Sequence, residues 1–452
     1  MDSDFTVPAA GPSWPSLAGK WFINALWGIA MLAAVLALAW AFANMELAEL
    51  TPIRAMVFLG GPLIVAAALI GGLFTPFAIR ALVSVCITFS AVGAYGAQAF
   101  LQNQRSEEIE RGKQQVAAKI GVKYDPRSML DVVYDRRAAG DDVFPNILSH
   151  FESPIGEAGQ TVVPLSGISN AQTVFCNERG YYETYRSDRL GLNNPDDVWN
   201  LRPIDIAVIG DSFVHGYCLP EKQALVGQIR QRFPATINLG LGSRGPLIEL
   251  AALVEFAKPV KPRVVLWVYT ECNDIQNLNY EASTPILRRY LADAEFTQNL
   301  FSRQDDVDKA LHAHFRETFA QRFGMPRFRL ARWLDFALLR SLRDRLDLRL
   351  RGRQPLLETR ERLRTTLPLF KKVLNEARGR VESWGGQLIF VYLPSYYRSQ
   401  GIDRRCLEMR DDVLETASGL RIPIIDLVSN FSKSQSPADN VWYFHGSHLS
   451  VT

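Results

Sequence analysis

The sequence predicts an α/β protein whose parallel sheet carries helices on both faces, preceded by helices that cross a membrane. From Pro203 onward, short apolar runs alternate with amphipathic stretches, a pattern typical of repeated β-α units. The first hundred residues contain three long apolar runs with almost no charge. An arginine-rich helical segment, residues 279–357, interrupts the alternation. At 452 residues and 48% hydrophobic content, the chain can form more than one domain.

The N-terminal region, residues 1–101, is predicted to be a transmembrane region of three helices. Crossing a hydrocarbon layer of about 30 Å takes roughly 20 helical residues, and each apolar run reaches that length. No signal-peptide cleavage site follows the first run before the second begins. Two spans are the alternative to three. The predicted spans cover about residues 21–43, 55–74 and 81–100.

Residues 102–200 are predicted to be a connector and an accessory segment. Gln102–Ile120 is charged and favours a helix, and the polar stretch after it contains short β-like runs such as Gln160–Leu165. Turn-forming residues are frequent there. We expect an accessory layer on the main domain, residues 201–452.

Within the main domain, continuous apolar runs predict five strands and amphipathic runs predict four helices. The predicted strands are Ile204–Ile209, Thr236–Leu239, Val264–Tyr269, Leu388–Leu393 and Ile424–Leu427. The predicted helices are Gln223–Phe233, Leu247–Ala257, Thr359–Trp384 and Asp403–Ser418. In open parallel sheets, ligands bind at the carboxyl ends of the strands, so the residues after each strand are the candidates for chemistry.

The insertion at residues 279–357 is basic and amphipathic. The stretch from Arg327 to Arg353 contains nine arginines and three aspartates. Such a segment could lie on an anionic bilayer, contact an acidic polymer, cover the site as a lid, or form a solvated helical hairpin. The net charge of the whole chain is +3, which argues against a nucleic-acid partner.

Three loops at successive strand ends carry residues suited to acyl transfer. Ser212, after Asp211, follows the first strand in a turn that leads toward a helix, which suits a nucleophile. The glycine-rich loop Asn238–Pro246 follows the second strand and lets backbone N–H groups approach an oxyanion. Asn273 follows the third strand, and its amide could donate another hydrogen bond to the oxyanion.

A serine nucleophile needs a base, and His448 is the candidate. It follows the fifth predicted strand, on the same edge of the sheet as Ser212. His215 is only three residues beyond Ser212, so we assign it to the start of the following helix. His312 and His314 lie in the insertion.

The ordered blocks GDS, glycine loop, N-D and a late histidine resemble the SGNH (GDSL-type) hydrolase superfamily from Pro203 to the C-terminus. The resemblance implies a flavodoxin-like three-layer fold with strand order 2-1-3-4-5 and no metal or organic cofactor. It implies Ser212 as nucleophile and His448 as catalytic histidine. The implied oxyanion donors are Ser212, Gly242, Ser243 and Asn273, with Asp211 and Asp274 in support.

The sequence departs from the family pattern in three places. Ser243 stands where the family has a glycine. His445 stands where the family has the aspartate that orients the catalytic histidine, so Asp426, Asp439 or a backbone carbonyl would have to take that role. The sequence ends at Thr452, where family members continue into a closing helix.

The resemblance implies a membrane-anchored esterase or O-acetyltransferase that acts on cell-envelope or exported polysaccharide through an acyl-enzyme. A transferase would need a membrane partner that supplies the acyl donor. The expected location is the inner membrane, multi-pass, with a periplasmic catalytic domain. The alternatives are a catalytically inactive polysaccharide-binding module of an export complex, favoured by His445, and a lipid esterase.

The cysteines leave two alternatives open. A disulfide between Cys176 and Cys218 would suit an oxidising periplasm, and free buried thiols fit the sequence equally well. The sequence contains no C-x-x-C pair, so the cysteines give no indication of a zinc site.

Overall fold

A computed structural model describes most of the chain, and the described residues divide into two compact units. The N-terminal unit is Met1–Ser106 with Arg329–Leu356, and the α/β unit is Glu107–Phe328 with Leu357–Thr452. The described residues are 17–44, 56–146, 154–156, 161–324, 336, 339, 342, 360–395, 398 and 405–428.

The described part of the N-terminal segment contains three α-helices, and two of them are long and apolar enough to cross a membrane by length and composition. These two stretches are Lys20–Ala39 and Phe77–Leu101, with mean hydropathy of 2.2 and 1.9. The helix between them has 12 residues, short of the roughly 20 needed for a span, so the three-span arrangement stays a prediction. The helices are α1 (Leu17–Asn44), α2 (Gly61–Gly72, after a π-helical turn at Met56–Gly60) and α3 (Phe77–Lys119).

Helix α3 also contains the predicted charged connector Gln102–Ile120 up to Lys119. No proline interrupts the chain between Phe77 and Lys119, so the backbone has no reason to break where the apolar stretch becomes charged. The predicted third span and the connector are therefore one helix.

Side chains of the N-terminal unit suit a hydrocarbon environment. The Trp27 indole N–H donates to the Leu69 carbonyl at 2.8 Å, which fixes α1 against α2. Large apolar side chains point outward, with Trp21 72% and Phe89 73% exposed. A surface of this kind indicates membrane association.

The accessory segment of the α/β unit forms helix α4 (Met129–Ala138) and a three-stranded sheet of β1 (Val143–Pro145), β2 (Gln172–Cys176) and β3 (Glu183–Arg186). Strand β1 runs parallel and β3 antiparallel to β2. The predicted run Gln160–Leu165 contributes a single bridge, between Ile155 and Val162. A Cys176–Cys218 disulfide, with a Cα–Cα distance of 5.4 Å, attaches β2 to the main domain.

The main sheet has five strands, all parallel, which confirms the predicted α/β class. The strands lie in the order β5-β4-β6-β7-β8. They are β4 (Ile206–Ile209), β5 (Thr236–Asn238), β6 (Val264–Thr270), β7 (Gln387–Leu393) and β8 (Ile424–Asp426). Ile209 of β4 is paired with Trp267 of β6, so the residues that follow both strands meet at one edge of the sheet.

Both faces of this sheet are buried, and alternate residues of each strand serve opposite faces. Trp267 and Tyr269 belong to the larger core, and Val268 belongs to the smaller one together with Val208 of β4. The strands are apolar on both sides for this reason, which is why the sequence has continuous apolar runs rather than strict alternation.

The helices of the α/β unit agree with the predicted ones in place but differ at their ends. The predicted helix Leu247–Ala257 is α-helical to Ala252 and π-helical from Leu253 to Ala257. The helices are α5 (Ser212–His215), α6 (Leu225–Arg230), α7 (Pro246–Ala252), α8 (Asp274–Glu281), α9 (Pro285–Ala292), α10 (Gln304–Gly324), α11 (Arg360–Ser383) and α12 (Arg410–Gly419).

The predicted insertion at residues 279–357 divides between the two units. Tyr290 of α9, Leu311 of α10 and Leu300 between the two helices are buried in the core of the α/β unit, whereas Arg329–Leu356 belongs to the N-terminal unit. Within that unit, the Phe336 ring stacks on Tyr95 at 5.5 Å. The first part of the insertion is therefore an integral layer of the main domain.

A buried aspartate, Asp188, organises the loop that follows β3. Its carboxylate accepts hydrogen bonds from the Leu190 and Leu192 N–H groups, the Asn194 amide and the Trp199 indole, at 2.7 to 2.9 Å. Burial raises the pKa of Asp188 to about 6, against the effect of these donors. Four donors on one carboxylate fold this loop into a fixed shape.

We expect Asp188→Asn to lower the free energy of unfolding by about 2 to 4 kcal/mol, because an amide replaces an acceptor that four buried donors face. Urea denaturation at pH 8 measures the change. Asp411→Asn, at an aspartate whose side chain is 91% exposed, is the matched control and should have little effect. Equal losses in the two variants would contradict the assigned role of Asp188.

Candidate active site

The turn after β4 presents Ser212 as the first residue of α5. Asp211 caps this helix, and its Oδ1 accepts the Phe213 N–H at 3.0 Å. Ser212 itself is 9% exposed. The sequence I-G-D-S folds this way because a short acceptor side chain directly before a helix satisfies a backbone N–H that has no partner in the helix.

The Asp211 carboxylate also joins the ends of β4 and β6. It accepts the Thr270 hydroxyl at 3.1 Å and the Asn273 amide at 2.5 Å. The Asn277 amide in turn donates to Asn273 Oδ1 at 3.1 Å, which fixes the orientation of the Asn273 side chain. Asn273 is thereby held beside the residue that precedes Ser212.

The glycine-rich loop after β5 packs directly on α5. A Cβ added at Gly240 would lie 2.5 Å from the His215 backbone nitrogen, a distance that no side chain permits. The Gly242 N–H donates to His215 Nδ1 at 3.3 Å, so in this structure that N–H is directed to an imidazole. Ser243 adopts a φ of 61°, the left-handed conformation that favours glycine.

His215 is buried and has partners at both ring nitrogens. With Nδ1 accepting from Gly242, the neutral ring carries its proton on Nε2, which lies 3.3 Å from the Tyr185 hydroxyl. The ring also packs on Phe175 at 4.5 Å. These contacts assign His215, which is the last residue of α5 rather than at the start of a helix, to positioning the glycine-rich loop.

A carboxylate from α8 holds the far end of the same loop. Glu281 accepts N–H groups of Gly245, Leu247 and Ile248 at 2.5, 2.9 and 3.3 Å. These groups begin helix α7, where a negative charge is stabilised by the unpaired N–H groups. Helix α8 starts directly after Asn273, so one short helix fixes both the amide and the loop.

Four carboxyl groups and one guanidinium are fully buried beneath these loops. Burial raises the pKa of Glu249 well above its ordinary value, and the charges of Asp211 and Glu281 raise it further. Burial also raises the pKa of Asp274, whose Oδ2 accepts the Thr270 N–H at 2.8 Å. Like charges in a dry interior disfavour ionisation, so burial and the neighbouring carboxylates both favour the uncharged forms of Glu249 and Asp274.

Arg244, within the glycine-rich loop, is the buried cation of this cluster. Burial lowers its pKa to about 9, although Glu249 and Glu281 act in the opposite direction. Its guanidinium donates to the carbonyl of Leu239 at 3.0 Å and to that of Leu165. The side chain therefore ties the loop to the accessory segment.

The remaining predicted site residues lie outside the described residues or elsewhere in the fold. His448, His445 and Asp439 are outside the described residues. Asp426 ends β8, where it pairs with Arg410 and accepts the Val428 N–H at 3.0 Å. Among the described residues, no group of three or more histidine, cysteine or acidic side chains is arranged as metal ligands.

No protein-family model matches this chain, and no curated protein sequence matches it either. The arrangement itself defines the class of site: a serine in a strand-to-helix turn of a parallel sheet, flanked by a glycine-rich loop and an asparagine amide at the adjacent strand ends.

Three buried residues that hold the loops of this site, Asp188, Arg244 and Glu281, have no role in the sequence-based prediction beyond the place of Arg244 in a loop. The burial of Glu249 beneath the site was not predicted either. The signal for Asp188 was present, because an aspartate followed by turn residues is typical of side-chain-capped loops. For Glu249 and Glu281 no local signal exists, since an acidic residue in an amphipathic helix normally faces solvent.

We expect Gly240→Ala to lower the melting temperature and the reactivity of Ser212 together, because the added methyl group collides with the α5 backbone; overpacking of this kind costs about 1 to 3 kcal/mol. Thermal melting and the rate of labelling by a fluorophosphonate measure the two effects. The control is Gly379→Ala in α11, where an added Cβ meets no atom within 4 Å. That variant should gain about 0.5 to 1 kcal/mol, and a loss as large as that of Gly240→Ala would contradict the packing argument.

Glu281 makes stability depend on pH. Burial raises its pKa from 4.5 to about 7, so between these values the folded chain binds more protons than the unfolded chain, and stability falls as pH rises. Glu281→Gln cannot titrate and should flatten the slope by up to about 1.4 kcal/mol per pH unit. Urea denaturation between pH 4.5 and 8 measures it. Glu382→Gln, at a carboxylate with 60% side-chain exposure, should keep the wild-type slope; parallel curves for Glu281→Gln and wild type would refute the assignment.

Proposed function

We propose that this chain is a membrane-anchored SGNH-type serine esterase or O-acyltransferase that acts on cell-envelope or exported polysaccharide. The observation that carries the proposal is the Asp211 carboxylate, which ties the Ser212 turn to the Asn273 amide across two neighbouring parallel strands. An oriented amide beside a serine at the start of a helix is the arrangement that acyl transfer requires.

In the proposed reaction, Ser212 Oγ attacks the ester carbonyl carbon while its proton passes to His448. The oxyanion formed accepts hydrogen bonds from backbone N–H groups of Ser212 and the glycine-rich loop and from the Asn273 amide. Asn273 Nδ2 carries two hydrogens, and one donates to Asp211, which leaves the other for the oxyanion. The alcohol departs with the proton from His448, and a covalent acyl-Ser212 ester remains.

Water or a sugar hydroxyl then attacks the acyl-enzyme carbonyl, and His448 takes the proton of the attacking group. The bond between the acyl carbon and Ser212 Oγ breaks, and His448 returns the proton to Ser212. Attack by water gives an esterase and attack by a sugar gives a transferase. The resemblance to membrane-tethered SGNH domains suggests acetyl esters of polysaccharide as the substrate class. For a transferase, a membrane partner would supply the acyl donor.

Two features support a protein that is anchored in the inner membrane and has an extracytoplasmic catalytic domain. The first bears on the anchor and the second on the compartment. Helices α1 and α3 are long and apolar enough to span a bilayer. The Cys176–Cys218 disulfide suits an oxidising compartment such as the periplasm.

The alternative is a catalytically inactive polysaccharide-binding module of an export complex. His445 favours it, because a histidine supplies no negative charge to orient His448. The Arg410 ion pair of Asp426 favours it as well, since that carboxylate is already engaged.

We expect Ser212→Ala and His448→Ala each to lower the hydrolysis rate of p-nitrophenyl acetate by at least about 10³-fold. Ser212→Ala should also abolish labelling of the full-length protein by a fluorophosphonate. Ser418→Ala, at an exposed serine, is the matched control and should keep the wild-type rate. The binding-module alternative would be correct if the wild-type protein released no acetate from model esters or acetylated polymers and the Ser212→Ala protein bound polymer as well as wild type.

A further inference from the structure

A large open cavity lies in the α/β unit between helices α4 and α10. Its volume is about 1230 Å³. Pockets that enclose one small ligand usually measure about 300 to 1000 Å³, so this cavity suits a segment of a longer chain. None of its lining residues is among the candidate catalytic residues Ser212, Asn273 or the glycine-rich loop.

Aromatic residues line part of the cavity. The Phe144 and Phe315 rings, which are almost fully buried, lie 6.5 Å apart, and Tyr134, which lines the same cavity, is 48% exposed. The Arg137 guanidinium lies 4.7 Å from the centre of the Phe144 ring, and the His312 ring meets Phe144 edge-on at 4.8 Å. The wall therefore combines flat apolar surfaces with cationic groups.

The charges of the wall favour an anion. Its cations are Arg137, Lys309 and Arg316, against the carboxylates of Asp306 and Glu317. Asp306 is already paired with Arg303 at 2.8 Å, and Arg303 is not part of the wall. Lys309 and Arg316 are both exposed on α10, where they can meet a ligand without unfolding any element.

We propose that this cavity, which we call the α4–α10 groove, binds a segment of an acidic polysaccharide. The apolar face of a pyranose ring would pack on the exposed Tyr134 ring, and carboxylates repeated along the glycan would pair with Lys309 and Arg316. A lipid chain would make no use of Lys309 and Arg316, and a polyanion without rings would make no use of Tyr134. This inference rests on the proposed action on polysaccharide and names its class as anionic.

The test is equilibrium binding of polygalacturonate oligomers to the full-length Ser212→Ala protein, by calorimetry. We expect saturable binding that weakens with added salt. Lys309→Gln with Arg316→Gln should raise Kd about tenfold. Tyr134→Ala should raise Kd by a similar factor of about ten, whereas Tyr134→Phe, which keeps the ring, should stay near wild type.

Three controls make the outcome decisive. Arg263→Gln removes an arginine with 68% side-chain exposure directly before β6 and should leave Kd unchanged. Polyglutamate carries the same charge without sugar rings, and dextran carries the rings without charge. Equal binding of either polymer, or a Kd insensitive to the groove variants, would overturn the proposal.

Because binding is measured without turnover, a failure of the esterase proposal leaves this result intact. If the protein releases acetate but its binding of polygalacturonate does not depend on the groove residues, the groove proposal is wrong and the esterase proposal is unaffected.

Discussion

The Asp211 carboxylate is the interaction on which the candidate site depends. Strands β4 and β6 are adjacent and parallel, but a sheet fixes only the backbone up to the last hydrogen-bonded pair. Beyond that point the two segments of the chain diverge into loops. Asp211 accepts hydrogen bonds from both loops, from the Phe213 N–H after β4 and from the Asn273 amide after β6. Since Asp211 is fully buried, these donors stabilise a charge that has no access to water, and losing one of them would weaken that stabilisation.

The interior under the site is unusually acidic, and this has a physical consequence. Asp211, Glu249, Asp274 and Glu281 share one interior region with the cation Arg244. Four ionised carboxylates would repel one another strongly in a low dielectric. Burial and mutual repulsion raise the pKa values of Glu249 and Asp274, which favours their uncharged forms and reduces the repulsion.

The main sheet could be predicted from the sequence because its strands are buried on both faces. Runs such as residues 264–268 are apolar at every position, as expected for a strand with cores on both sides. The residues after each strand followed from the same prediction, since parallel strands bring their carboxyl ends to one edge. Ser212 and Asn273 were singled out in this way, and their shared contact through Asp211 follows from the register.

What could not be predicted is the set of long-range polar contacts. Glu281 reads as a surface residue of an amphipathic helix, and its partners at Gly245 and Leu247 lie more than thirty residues away. The insertion was assigned as one segment because its helical character is uniform, whereas burial of Tyr290 and Leu311 separates α9 and α10 from the arginine-rich part. The apolar periodicity of a helix predicts which face is buried but not which other element that face packs against.

The accessory segment is best understood as a substitute for a missing strand. Strand β5 is at the edge of the sheet, beside β4, and has three residues. An edge strand this short leaves N–H and C=O groups without partners on its outer side. The Asn194 side chain supplies both, because its Oδ1 accepts the Asn238 N–H at 2.7 Å and its amide donates to the Asn238 carbonyl at 3.0 Å.

Asn194 is itself fixed by Asp188 at 2.8 Å, and Asn238 donates to the Val214 carbonyl of α5 at 3.0 Å. The accessory loop therefore completes the edge of the sheet and, through that edge, fixes the helix that begins with Ser212. A domain cut at residue 201 would lose these contacts, so the accessory segment and the main domain form one structural unit.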